Sequence, residues 1–326
     1  MNAIRPWHRA LWTRLQDARR RDQLSHALLL SGRAGFGKQD FAEALIRSLL
    51  CEADKDSACG GCRGCALLAA GSHPDLCRVA PEEPGKGIRV DDIRGLIQYF
   101  SLRSHYGRFK LALISPADAM NRSAANALLK LLEEPPAGGL ILLLADRPER
   151  LPATIRSRCQ QYPLDRVAAE DLLIWDGLVG DPAARAEALA RAGGSPGLAL
   201  TLLEPALASV VASLPQTVGD VLRGRTSPLV AATQYAKTEL LTLIDQLLRL
   251  SHELLLLKQR AGLPLENAGR TPAAGLQGLA NELDSRKIAV FIQQLLVTKQ
   301  LRLSSPSLRD ADLGESVWFD LKAAGI

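Results

Sequence analysis

The chain has 326 residues, 47% of them hydrophobic and only 4% aromatic, with a formal charge of +5 at neutral pH. That length and apolar content suit two or three domains with substantial cores, and Leu and Ala in excess of aromatics favour helices. No apolar run is long enough to cross a bilayer, so no membrane-spanning helix is expected, and the small basic excess is spread along the chain rather than gathered into one tail.

In chain order, His26 to Leu30 reads as a buried strand running directly into Gly32-Arg33-Ala34-Gly35-Phe36-Gly37-Lys38-Gln39. That run fits the phosphate-loop pattern G-x-x-x-x-G-K-[ST] until its last position, where Gln39 stands in place of the hydroxyl residue that holds magnesium. Phe41, Leu45, Ile46, Leu49 and Leu50 then recur at helical spacing, so the order is strand, loop, helix. Gly32, Gly35 and Gly37 let backbone N–H groups converge on an anion, the helix N-terminus adds partial positive charge, and Lys38 can reach phosphate oxygens. An ordinary glycine-rich turn is the competing reading.

Next comes an apparent insertion with Cys51, Cys59, Cys62 and Cys65 spaced C-x7-C-x2-C-x2-C. Four soft ligands suit tetrahedral Zn2+, and Gly60, Gly61 and Gly64 permit the tight turns that wrap a metal. Full thiolate coordination leaves no open position, so the zinc is expected to be structural. Disulfides compete with this reading, but the chain opens without a signal peptide, which predicts a cytoplasmic, reducing compartment. Cys77 and Cys159 read as small core or strand residues, and His73 as a residue that shapes the exit turn.

Val90 to Phe100 is predicted to be an amphipathic helix and Phe109 to Ile114 a strand. Ser115-Pro116 follows that strand where an ATPase carries the acidic pair that holds magnesium and positions water. Asp118 is too far along to substitute, and is expected to cap the next helix through Arg122 and Asn126. Two magnesium-handling positions are thus lost, and hydrolysis by this chain is not expected.

Ser123 to Glu134 reads as a helix stopped by Pro135-Pro136, Leu140 to Ala145 as an apolar strand, and Cys159 to Leu164 as a short last strand. Strands alternating with helices predict a parallel sheet covered on both faces, ending near residue 165. A small helical unit over 166–208 follows, with helices at Ala168 to Trp175 and Pro182 to Arg191 and a third opened by Gly193-Gly194-Ser195-Pro196-Gly197. Residues 209–326 are read as all helical, with Leu-rich stretches at Thr238 to Leu257 and Lys287 to Leu303 separated by a Gly/Pro-bearing segment, Ala261 to Gly278. Asp245, Arg249, His252 and Glu253 make the first stretch too polar for a membrane, so its apolar residues are expected in a core or a subunit interface.

The run from Asn121 through Arg122-Ser123-Ala124-Ala125-Asn126-Ala127-Leu128-Leu129-Lys130-Leu131-Leu132-Glu133-Glu134 to Pro135-Pro136, followed by Ile155-Arg156-Ser157-Arg158-Cys159, resembles the bacterial sliding-clamp loader family of AAA+ proteins. The zinc insertion inside the P-loop domain is similar to that family too, and the match covers the P-loop and small helical domains. The resemblance implies an α/β P-loop (AAA+) domain over 1–165 with a zinc module at 51–65, a helical lid over 166–208 and an all-α collar over 209–326. Within the family, the eroded loop points to the non-hydrolysing member rather than the ATP-hydrolysing gamma/tau subunit.

The resemblance further implies that Arg158, on a turn fixed by Ser157 and Cys159, is an arginine finger reaching the ATP site of a neighbouring subunit. A local ion pair is the competing reading of Arg158. The family's sensor-1 threonine region is represented by Ala145-Asp146, and its sensor-2 arginine falls at Gly197, which has no side chain. ATP binding at Gly32, Gly35, Gly37 and Lys38 is expected to be weak or absent. Implied partners are gamma/tau and delta subunits in a hetero-pentamer of the DNA polymerase III holoenzyme, with the sliding clamp and primed DNA reached through the assembly and no membrane. An active gamma/tau-like ATPase is the alternative, and a zinc-dependent DNA-binding regulator is disfavoured because no recognition helix rich in Arg or Asn adjoins the cysteines.

Overall fold

The structure is a computed structural model that describes residues 4–53, 56–83, 86–106, 109–165, 167, 171, 182–259, 276–305 and 308–324. The chain divides into two compact units, Met1–Leu200 and Thr201–Ile326.

The first unit is built on five parallel strands, β1 (Ala27–Ser31), β2 (Leu76–Val79), β3 (Lys110–Ile114), β4 (Gly139–Ala145) and β5 (Gln160–Pro163), in the order β2-β3-β4-β1-β5. Helices α1 (Arg9–Arg20), α2 (Lys38–Leu50), α3 (Arg63–Ala69), α4 (Val90–Ser101), α5 (Arg122–Glu133) and the one-turn α6 (Ala153–Arg156) join and cover them, and α7 (Pro182–Arg191) and α8 (Pro196–Leu203) follow. This is the expected α/β P-loop architecture with a cysteine-bearing insertion.

β1 and β3 are buried along their whole length, as continuous apolar strands in a doubly covered parallel sheet must be. Period-two alternation divides their side chains between two cores. Ala27, Leu29, Ala112, Ile114, Ile141 and Leu143 face one core with Ile93 and Leu96 of α4 and Leu128 and Leu132 of α5. Leu28, Leu30, Leu111, Leu113, Leu142 and Leu144 face the other with Phe41, Leu45, Ile46 and Leu49 of α2 and Leu15 of α1. A buried hydrogen bond from Gln16 Nε2 to Ser48 Oγ (3.0 Å) pins α1 to α2.

Among the described residues, the expected strands and helices of this unit appear within a residue or two of their predicted bounds. Four elements of this unit were not foreseen: α1, whose Leu11, Trp12 and Leu15 pack on the core beside α2; β2, whose four residues include the exposed Arg78; α3 within the cysteine insertion; and the one-turn α6. One expectation is overturned. Asp118 does not cap α5; Asn121 does, its side-chain oxygen accepting from the N–H of Ala124 at 2.8 Å. Asp118 lies in a separate short 3-10 turn, Ala117–Ala119, and accepts from the N–H of Asp146 at 3.1 Å.

The second unit is helical throughout its described residues: α9 (Pro205–Leu222), α10 (Pro228–Gln234), α11 (Leu240–Gln259), α12 (Leu276–Glu282), α13 (Ser285–Ser304) and α14 (Asp310–Ala323). Its core gathers Val221, Ile244, Leu247, Leu279, Phe291, Leu295 and the fully buried Trp318, whose ring stacks on Tyr235 at 5.4 Å. The Leu-rich α11 sends Leu240, Leu243, Ile244, Leu247, Leu250 and Leu254 into that core, while α13 leaves Val290, Leu296, Val297 and Leu301 exposed. Among the described residues no single helix is long and apolar enough to cross a membrane. The predicted helix at Ala168 to Trp175, apart from Asp171, and the Gly/Pro-bearing segment as far as residue 275 lie outside the described residues; from Leu276 that segment is α12.

Candidate functional site

The phosphate loop leaves β1 at Ser31 and enters α2 at Lys38. Gly32, Gly35 and Gly37 take φ of +133°, +85° and +85°, a region that other residues enter only with strain. Space adds to this at Gly32, where a Cβ would stand 2.8 Å from Asp165, whereas at Gly37 it would meet only the movable end of the Arg5 side chain. The sequence-predicted residues Gly32, Gly35, Gly37 and Lys38 therefore form one continuous cradle.

The cradle is engaged by the chain itself. Lys38 is 6% exposed, and its Nζ lies 2.7 Å from Asp146 Oδ1 and 2.9 Å from the carbonyl of Arg33. The pairing of Ser31 with Ala145 across β1 and β4 places Asp146 beside the loop. On the other flank, just past β5, Asp165 Oδ2 accepts from the N–H of Arg33 at 3.1 Å. From the start of α8, Ser195 Oγ donates to the Ala34 carbonyl (3.2 Å) and Gly197 N–H to that of Gly35 (2.8 Å). A Cβ at Gly197 would lie 2.8 Å from the Gly35 oxygen, so an arginine at this position would not fit the observed geometry. Beside the loop an open cleft of about 580 Å³ is lined by Gly32, Arg33, Asp146, Glu149 and Asp165, among others.

The two positions where magnesium would be handled touch each other. Ser115 Oγ donates to Gln39 Oε1 at 3.4 Å, and Gln39 Nε2 donates to Glu43 Oε1 at 3.1 Å. Glu43 is in turn held by Arg78 at 2.8 Å. Both ends of the Gln39 amide are committed to protein partners.

Arg158 follows α6 on a short turn. Ser157 Oγ donates to the Thr154 carbonyl at 3.2 Å, and the backbone N–H of Arg158 reaches that of Ile155 at 3.0 Å. Cys159 is buried beneath, and burial pushes its thiol up to about 12. The Arg158 guanidinium donates to the Thr154 carbonyl at 2.9 Å and pairs with Glu133 at 2.7 Å, with more than a third of the side chain open to solvent. A half-exposed pair of this kind is worth under about 1 kcal/mol, so the guanidinium is free to exchange partners.

Cys51, Cys59, Cys62 and Cys65 come together, their sulfurs all within 4.8 Å of one another and Cys51 3.9 Å from Cys62. Tetrahedral coordination with bonds of about 2.3 Å separates thiolates by about 3.8 Å, so the four sulfurs fit one metal ion of zinc's size and softness. The N–H groups of Cys59 and Cys65 point at the sulfurs of Cys51 and Cys62 (3.3 and 3.4 Å), orienting the ligands. The N–H groups of Gly61 and Cys62 lower the Cys59 thiol to about 6, whereas burial pushes Cys65 up to about 12. Gly64 is required here, because a Cβ would stand 2.5 Å from the Leu50 carbonyl. His73 does not join the sulfurs; its Nδ1 accepts from the N–H of Asp75 (3.1 Å) in the exit turn, and Cys77 lies in β2.

Sequence reasoning missed Asp165 and did not connect Asp146 to Lys38. The available signal was position: each follows a strand that flanks β1, at the carboxyl ends where α/β sheets build their sites.

A family model described as DNA polymerase III, delta subunit, matches residues 7–168. The DNA polymerase III subunit delta' of Pseudomonas aeruginosa is 46% identical over 200 residues, covering 60% of each chain. That of Yersinia pestis is 32% identical over 250 residues, covering 74% of this chain and 70% of its own. The chain thus matches less than two thirds of the first of these relatives. Among solved structures, a DNA polymerase III gamma subunit-related protein from Thermotoga maritima aligns over 95% of this chain and 98% of its own, with a TM-score of 0.48 and 18% identity.

Proposed function

This chain belongs to the family of DNA polymerase III delta' subunits, and from that premise we propose that it is a non-hydrolysing stator of the sliding-clamp loader. The observation that carries the reading is the Gln39–Ser115 hydrogen bond, which joins the two positions where a working ATPase would hold magnesium and aim water. The contact is long and exposed, so its weight lies in the residue types it brings together: an amide at 39 and a hydroxyl followed by proline at 115 and 116, none of them the carboxylate that holds magnesium.

Arg158 acts in trans. Its weak pair with Glu133 parks the guanidinium at the surface until a neighbouring subunit presents a γ-phosphate, whose higher charge and bidentate geometry win the exchange. The partners are the gamma/tau ATPase subunits on the Arg158 side and the delta subunit on the other, with the clamp and primed DNA engaged by the whole pentamer. The four cysteines hold a structural zinc ion that closes the insertion at 51–65, residues 166–208 serve as the lid, and the helices of 209–326 join the collar.

The test is ATP turnover by a clamp loader reconstituted with the wild-type chain or Arg158→Ala, in the presence of clamp and primed DNA, alongside the isolated chain. The isolated chain is expected to be inert. The substitution should slow turnover at the site it faces by about a thousandfold, the lower range for arginine fingers, while the subunits still assemble. Robust turnover by the isolated chain, abolished by Lys38→Ala, would establish instead the gamma/tau-like ATPase that the intact glycines and Lys38 favour.

A further inference from the structure

The residues at Gln39, Ser115 and Pro116 bear on hydrolysis, and whether a loop with its glycines and lysine intact can hold a nucleotide is a separate question. A phosphate loop binds by offering an ammonium and several backbone N–H groups to acceptor oxygens that carry negative charge. In this chain such oxygens are already there. Asp146 Oδ1 lies 2.7 Å from Lys38 Nζ, and Asp165 Oδ2 takes the N–H of Arg33 at 3.1 Å.

We propose that Asp146 and Asp165 are built-in anions that keep the loop closed to nucleoside triphosphates, and that neutralising them uncovers a working nucleotide site around Lys38. The two carboxylates reach the loop from independent elements, past the ends of β4 and β5 on either side of β1. A third grip comes from α8, where Gly197 and Ser195 hold the carbonyls of Gly35 and Ala34. Lys38 needs the partner it has, because an ammonium at 6% exposure is costly to leave unpaired. A triphosphate must therefore displace Asp146 from Lys38 before it gains anything, in a cleft whose carboxylates, Asp146, Glu149 and Asp165, stand among Arg33 and Arg147, so the barrier lies in the two carboxylates that touch the loop rather than in the charge of the cleft as a whole. Repulsion of a polyanion by a carboxylate a few ångströms away lowers affinity several-fold per charge near a protein surface, so the pair together accounts for roughly tenfold to a hundredfold. Asparagine at either position keeps the shape and an acceptor oxygen while removing the charge.

The inference concerns binding by the isolated chain and does not depend on Arg158 or on any partner, so it stands or falls separately from the stator reading. The experiment is equilibrium binding of a fluorescent ribose-labelled ATP with magnesium to the full-length wild-type chain, to Asp146→Asn, to Asp165→Asn and to the double variant. The double variant should bind at least about tenfold tighter than wild type, each single variant should show part of the gain, and adding Lys38→Ala should cancel it. Melting curves and metal content identify any variant that fails to fold, in which case the single variants carry the test. Affinity unchanged in the folded variants, or a gain that survives Lys38→Ala, would overturn the proposal.

Discussion

His8 shows how one side chain can set the pH range of the first unit. It is 3% exposed, its ring meets Phe41 edge-on at 5.3 Å, and burial is the main cause that lowers it to about 4. Above pH 6.5 the imidazole is neutral in folded and unfolded chains alike and contributes nothing to pH dependence. As pH falls from 6.5 toward 4, the unfolded chain takes up a proton that the folded one refuses, and stability drops by on the order of 3 kcal/mol. Urea midpoints at pH 7 and pH 4.5 should therefore differ, and the difference should shrink in His8→Phe; an unchanged difference would place the acid sensitivity elsewhere. At this scale the sequence was most legible where chemistry restricts the residue type. Positive φ demands Gly32, Gly35 and Gly37, and soft metal coordination demands the four cysteines. Asp146 and Asp165 were opaque because a carboxylate after a strand acquires meaning only once the strand order places it beside the loop.

At the scale of elements, periodicity located the long members and overlooked the short or isolated ones. β4 is seven consecutive residues of apolar or small side chains and announces itself, whereas β2 has four residues, one of them an exposed arginine, and no alternation to betray it. α5 was placed correctly but its cap was assigned to Asp118, three residues upstream of Asn121; Asp and Asn cap helices about equally well, so residue type alone does not choose between them. The extended backbone of Asn121 and its bond to the N–H of Ala124 settle the assignment. Asn121→Ala should accordingly cost about 1 kcal/mol in chemical denaturation, the usual worth of an N-cap. Asp118→Ala should instead loosen the turn that holds the Asp146 backbone and leave α5 intact by amide exchange.

On the scale of the whole molecule, the sheet-centred unit and the helical unit have separate hydrophobic cores with no residue in common. Calorimetry should resolve two transitions. Trp318→Ala, which empties the centre of the second core, should lower one of them by the 3–5 kcal/mol typical of deleting a buried aromatic. A strong chelator should lower the other, because the cysteine insertion is packed into the first unit; a single transition that responds to both would refute the separation. Fold class was legible from the alternation of strands and helices followed by helices alone, because the period of the apolar residues changes where the sheet ends. The Gln39–Ser115 contact also sets what it would take to build a magnesium site into this chain. A hydroxyl at 39 and an acidic pair at 115 and 116 are three substitutions, and any one of them made alone leaves the others' positions without a metal ligand.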